Sequence, residues 1–127
     1  MTKVPRILKI IAVSLIIAVG MVHLIGAPQH YRAAPYIGVL FLANFLGSLI
    51  SAFGIYRDAL WGWLLGVLIA GGAFVAYAYI ATRSIGLPGF EQAIGKSGPL
   101  GVISLVVELL FAVLFVLAVI VWWRDAS

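Results

Sequence analysis

Glu108, His23 and His30 are the side chains in this sequence best suited to chemistry. Glu108 lies between residues 100 and 123, where the only other clearly polar side chain is Ser104. An unpartnered charge inside a bilayer costs at least about 2.5–3.5 kcal/mol, so the carboxyl group must be neutral, partnered or facing a wet cavity. The two histidines stand seven residues apart, and imidazole is the commonest protein metal ligand. On an unbroken helix they would share a face but stand about 10 Å apart, too far for one metal. A shared metal therefore requires the chain to fold back at Gly26-Ala27-Pro28. With that fold, His23, His30 and Glu108 form a three-ligand site suited to zinc, copper or iron. A b-type haem fits less well, because two ligands on one helix face cannot reach both sides of a porphyrin, although a dimer could supply the second. Each residue also has a structural alternative. Glu108 could lock the bundle through Asn44, Ser48 or a tyrosine, His23 could be a satisfied core residue, and His30 could be solvated in a loop.

The elements that must position these groups follow from composition. Of 127 residues, 65% are hydrophobic and 9% charged, with a mean hydropathy of +1.20. Soluble domains run nearer about 45–50% apolar and about 25% charged, so the reading is an integral membrane protein of a single domain, residues 1–127. A membrane crossing needs about 20 apolar residues. Four segments qualify, at residues 7–26, 35–56, 59–83 and 99–123, predicting an all-α four-helix transmembrane bundle running up-down-up-down. Gly26-Ala27-Pro28 is expected to end the first span, since proline lacks an amide hydrogen and its predecessor disfavours helix. Arg57-Asp58 makes a very short turn, and residues 84–98 read as a loop punctuated by Gly86, Pro88, Gly95 and Pro99. The first span follows Lys3, Arg6 and Lys9 as a secretory signal would, but it is long and lacks a convincing cleavage site, so it is read as retained.

Each span carries small or polar residues at helical spacing. These are Ala12, Ile16, Gly20 and His23; Asn44, Gly47, Ser48 and Ser51; Gly62, Gly66, Ala70, Ala73 and Tyr77; and Gly101, Ser104, Glu108, Ala112 and Phe115. Helices in lipid associate through such stripes, which packing alone would explain. At about 1.5 Å per residue, Glu108 and Asn44 lie roughly 13 Å in from the same end of their spans, Tyr77 about 9 Å and His23 about 5 Å. The expectation is one polar pocket of His23, Asn44, Tyr77 and Glu108, with His30, Arg32 and Arg83 at its mouth. With both termini cytoplasmic, Lys3, Arg6, Lys9, Arg57 and Arg124 fall inside against Arg32, Arg83 and Lys96 outside. The positive-inside rule favours that orientation, which opens the pocket outward and sets Trp61, Trp63, Trp122 and Trp123 at the inner interface.

Several motifs agree in order along the chain. His23-Leu24, Ala27-Pro28-Gln29-His30, Pro35 and Gly38-Val39-Leu40-Phe41-Leu42 are followed by Thr82-Arg83-Ser84-Ile85-Gly86-Leu87-Pro88, Pro99-Leu100-Gly101 and Glu108. The pattern resembles an uncharacterised family of small four-span bacterial membrane proteins, common in actinobacteria. The resemblance covers roughly residues 23–108 and implies four spans, a bacterial plasma-membrane location and a role for His23, His30 and Glu108, but no particular reaction. Gln29 stands where that family usually has an acidic residue, which removes a partner for a histidine or a metal.

The function classes separate on this basis. A binding module for a metal ion or small ligand comes first, with Asn44, Tyr77, Ser104 and Arg83 as further contacts. An accessory subunit, in a homodimer or a larger membrane complex, comes second. A carrier would need oligomerisation, because four spans enclose little volume and no inverted repeat is evident. An enzyme is least supported, since no nucleophile and base pair is recognisable. The absence of cysteine excludes disulfides and thiolate metal sites. No basic run interleaved with aromatics lies outside the spans, so nucleic acid is not an expected partner.

Overall fold

The computed structural model describes residues 4–82 and 90–127, with side chains for 4–79 and 99–127. Its secondary structure is helical throughout: α1 (Arg6–Ala33), α2 (Pro35–Tyr56), α3 (Leu60–Thr82) and α4 (Phe90–Ala126). All four carry stretches long and apolar enough to cross a bilayer, which makes this a multi-pass membrane protein. In lipid every backbone amide and carbonyl must be satisfied within the chain, and helices do this locally. Helix α1 packs on α2 and α4, and α3 packs on the same two, while α1 and α3 lie across the diagonal. The result is a four-helix bundle.

Two boundaries differ from the sequence expectation. Helix α1 does not end at Gly26-Ala27-Pro28 but continues through Pro28 to Ala33. A proline inside a membrane helix is tolerated where neighbouring groups restore the freed backbone bonds. The break falls instead at Ala34, the residue before Pro35, whose φ of −157° and ψ of 120° are extended. Proline forces its predecessor out of the helical region, so one residue turns the chain between two helices. Gly38 lets α2 cross close to α1 there, because a Cβ on it would come within 2.6 Å of the Tyr31 Cα. Likewise, part of the segment read as a loop at 84–98 is helical. Helix α4 begins at Phe90 and runs through Pro99.

The α2–α3 turn is as short as its charges suggested. The amide of Ala59 donates to the Gly54 carbonyl at 2.9 Å and that of Asp58 to the Ile55 carbonyl at 3.0 Å. Asp58 takes the left-handed conformation with φ 58°. This is the bond pattern that closes a helix with a left-handed residue. Lys9 pairs with Asp58 at 3.1 Å and ties the start of α1 to the turn.

The half of the bundle nearest this turn is densely packed. Its core joins Ala12, Ile16 and Val19 of α1 to Ala52 and Ile55 of α2, Trp63 and Ala70 of α3, and Phe111, Leu114 and Ala118 of α4. Trp63 is only 1% exposed and stacks on Phe111 with ring centroids 6.4 Å apart. It is therefore a core residue and not the interfacial anchor expected from its position near the end of a span. Trp61 is exposed, and Trp123 is too. On α4 the buried stripe continues from Glu108 through Phe111, whereas Ala112 and Phe115 are half-buried.

Glycines set the helix separations in this half. A Cβ on Gly62 would strike the backbone of Gly54 and Ile55, and one on Gly66 would come within 2.6 Å of both Phe111 and Ser51 Oγ. Ser51 donates its hydroxyl to the Gly62 carbonyl at 2.7 Å, adding a buried bond to the contact. Gly71 faces open space instead. Gly62→Ala should lower stability by about 1–3 kcal/mol through overpacking. Gly71→Ala should be neutral or gain up to about 1 kcal/mol from helix propensity. Thermal melting of both variants in lipid nanodiscs checks this, and equal effects would contradict the assigned contact.

Candidate functional site

Beyond the packed half the helices enclose a cavity of about 320 Å³. Helix α1 contributes Val22, His23, Gly26 and His30, and α2 contributes Ile37, Leu40, Phe41 and Asn44. From α3 come Leu68, Gly72, Ala73, Ala76 and Tyr77, and from α4 Leu100, Gly101, Ser104 and Glu108. The structure thus brings His23, His30, Asn44, Tyr77, Ser104 and Glu108 to one cavity whose remaining wall is apolar. Arg32 is exposed on the last turn of α1. Arg83 lies outside the described residues.

Local helix geometry aims the histidines. His23 Nδ1 lies 2.8 Å from the Val19 carbonyl oxygen, and His30 Nδ1 lies 2.8 Å from that of Gly26. A carbonyl only accepts, so Nδ1 carries hydrogen in both rings and donates it one turn back along the helix. That fixes each ring's orientation and leaves Nε2 for other partners. Both rings are buried, and both pack on Phe41. The His30 ring stacks on it at 4.0 Å with an interplanar angle of 25°, and the His23 ring is tilted at 4.8 Å.

Glu108 is 1% exposed. Its Oε1 accepts the Ser104 hydroxyl at 2.5 Å, a bond one turn long within α4. His23 Nε2 stands 3.8 Å from the same oxygen. That separation is too long for a hydrogen bond and short enough for one bridging atom. Among the described residues, Oε2 is buried without any hydrogen-bond partner. Such a group in a low-dielectric setting carries a desolvation penalty that a ligand's polar atom can relieve. On α2, the Ser48 hydroxyl donates a long bond to Asn44, at 3.4 Å.

The three-ligand metal arrangement required a fold-back at Gly26-Ala27-Pro28, and the helix runs straight through those residues. The seven-residue separation then spans about 10.5 Å along the axis, and Phe41 packs against both imidazoles. No group of three histidine or acidic side chains among the described residues is close enough to hold a metal ion. What is left is a pair, His23 and Glu108, with His30 at a distance.

Sequence reasoning missed Phe41, Gly72 and Ala76. Phe41 looked like one more apolar residue in an apolar helix. The run of small residues from Gly71 to Ala73, continued at Ala76, was the available signal, since small side chains on a helix either admit a neighbour or leave room. For Gly72 the second holds, because a Cβ there would meet nothing within 4 Å.

The Ser104–Glu108 bond can be tested directly. Ser104→Ala strips the carboxyl of its hydroxyl donor and should cost about 1–3 kcal/mol. Ser14→Ala removes only an exposed hydroxyl bonded to the Ile10 carbonyl of its own helix and should be close to neutral. Melting temperatures in nanodiscs distinguish them, and an unchanged Ser104→Ala protein would contradict the role assigned to that bond. No known protein family, curated protein or solved structure matches the chain, so its function is argued from the cavity alone.

Proposed function

We propose that the protein is a membrane-embedded binding module whose cavity takes a small organic ligand, with His23 and Glu108 as its polar contacts and His30, Asn44, Tyr77 and Ser104 around them. The observation that carries this reading is Glu108 Oε2, a buried carboxyl oxygen in the wall of a cavity with no partner among the described residues. Predominantly apolar walls with a few convergent polar groups are the usual make-up of a small-molecule site. A small ligand is favoured over a metal ion because the described donors form a pair, not a tetrahedral or facial set. The distribution of lysine and arginine favours cytoplasmic termini and a cavity in the outer half, and the resemblance of the motifs to small four-span bacterial proteins favours a bacterial plasma membrane.

The test is the content of the purified protein. Extraction with native lipids, followed by native mass spectrometry and elemental analysis, should find an organic species at a fixed ratio and no stoichiometric metal. Glu108→Leu should lose that species through the polar contact, and Gly72→Leu through filling of the cavity. A protein that carries nothing, cannot be reloaded and is as stable with Glu108→Leu as without it would refute the proposal and assign the polar cluster to holding the helices. A stoichiometric metal, with an absorption band lost in His23→Ala, would replace the organic ligand with a metal ion.

A further inference from the structure

The wall of the cavity is not equally closed on all sides. Antiparallel packing pairs α2 and α3 at seven-residue steps, with Gly54 against Gly62 and Gly47 against Ile69. A Cβ on Gly54 would come within 2.6 Å of the Gly62 Cα, and one on Gly47 within 2.7 Å of the Ile69 Cδ1. The next rung of the same register is Leu40 opposite Ala76, about 21 Å from the first. Here the seam opens. Leu40 and Ala76 both line the cavity and both are exposed, Leu40 by 56%. Leu68, 71% exposed, and Gly72 line the cavity on the same side of α3 and are exposed as well. A residue that lines a cavity and also meets the exterior marks an opening, and along a membrane-spanning helix that exterior is lipid.

The polar floor specifies what fits inside. His23 and Glu108 taken together avoid a net charge in the membrane in two ways, as imidazole with carboxylic acid or as imidazolium with carboxylate. Each arrangement offers one donor and one acceptor beyond the bonds to Val19 and Ser104. A hydroxyl group, which donates once and accepts, matches either. His23 Nε2 stands 3.8 Å from Glu108 Oε1, near enough to the carboxyl group for one hydroxyl oxygen to bond Nε2 and the unpartnered Oε2 together. A carboxylate ligand would add a charge to this floor, and a pure hydrocarbon would leave Oε2 unpartnered.

We propose that the cavity binds a membrane-dissolved compound bearing a hydroxyl group on an apolar chain or ring, admitted from the bilayer between Leu40 and Ala76, with the hydroxyl seated between His23 and Glu108. This rests on the binding-module reading and adds the ligand class and its route. Long-chain or isoprenoid alcohols and quinols share the required chemistry.

The chain has no cysteine, so Leu40→Cys with Ala76→Cys creates one addressable pair at the seam. Nanodiscs are loaded with diazirine-bearing hexadecanol or with diazirine-bearing hexadecane, irradiated, and the labelled peptides counted. The alcohol should label cavity peptides about tenfold more than the alkane, and Glu108→Leu should abolish that preference. Farnesol that competes where menaquinol does not assigns the site to a linear alcohol, and the reverse assigns it to a quinol. Bridging the two cysteines with a short bis-maleimide before loading should cut labelling about tenfold, while the double variant left unbridged labels like the native chain. Equal labelling by alkane and alcohol, competition by neither compound, or undiminished labelling after bridging overturns the proposal. If the natural ligand seen by mass spectrometry is still lost in Gly72→Leu when these fail, the binding module stands and only the ligand class and route fall.

Discussion

In lipid, apolar burial cannot hold helices together, because a leucine facing acyl chains is no worse off than one facing another helix. Association then depends on how closely backbones approach and on the polar bonds made between them. In this bundle the contact between Gly54 and Gly62 sets that approach, with the Ser51 hydroxyl bonded to the Gly62 carbonyl beside it. The contact sits next to the Arg57–Asp58 turn, where the left-handed Asp58 fixes the entry of α3. Register follows from it. Once Gly54 meets Gly62, the pairing of every later rung on α2 and α3 is determined, as far as Leu40 with Ala76.

The two halves of the bundle differ for a physical reason. Near the turn, glycines on α2 and α3 bring those helices together, and Trp63 and Phe111 fill the remaining core. Farther along, α3 lines the cavity with Gly72, Ala73 and Ala76, and with Leu68 and Tyr77 as its larger side chains. Helices already spaced by the packed half cannot collapse onto those small residues, so volume is left over. Glu108 stands at the boundary, one turn from Phe111 and facing the open half. The placement lets a carboxyl group be supported from below by packing and by Ser104 while its second oxygen adjoins the cavity.

Much of this was legible in residue type and spacing, and the failures share a cause. Glu108 and His23 stood out because polar groups are rare in spans, and helical periodicity set them on inward stripes with Gly20, Ser48 and Gly101. Span two matched α2 at both ends, since Pro35 and Arg57-Asp58 break a helix in any solvent. Pro28 and Pro99 misled for the opposite reason. Read as helix ends, both lie within helices, because the bilayer penalises any non-helical backbone more than it penalises one missing bond. The misplacement at Pro28 also carried the metal hypothesis, which needed a fold-back there. Trp63 was invisible as a core residue, because aromatic residues near span ends sit at interfaces far more often than inside. Only tertiary packing against Phe111 distinguishes the two.

The cavity's volume bears on whether it is incidental. Voids in protein cores forfeit about 24 cal/mol per Å³, so about 320 Å³ kept dry and vacant would cost about 8 kcal/mol. That is comparable to the whole stability of a typical domain, about 5–15 kcal/mol. A helix bundle under selection only to fold would have removed such a defect with larger residues on α3. At Gly72 a Cβ would meet nothing within 4 Å, so a larger side chain has room to begin there. Acyl chains entering such a space would satisfy its apolar walls but not Glu108 Oε2. Under the proposed function, the small residues of α3 and the Glu108 carboxyl of α4 are the apolar and polar parts of one site for an amphiphilic ligand.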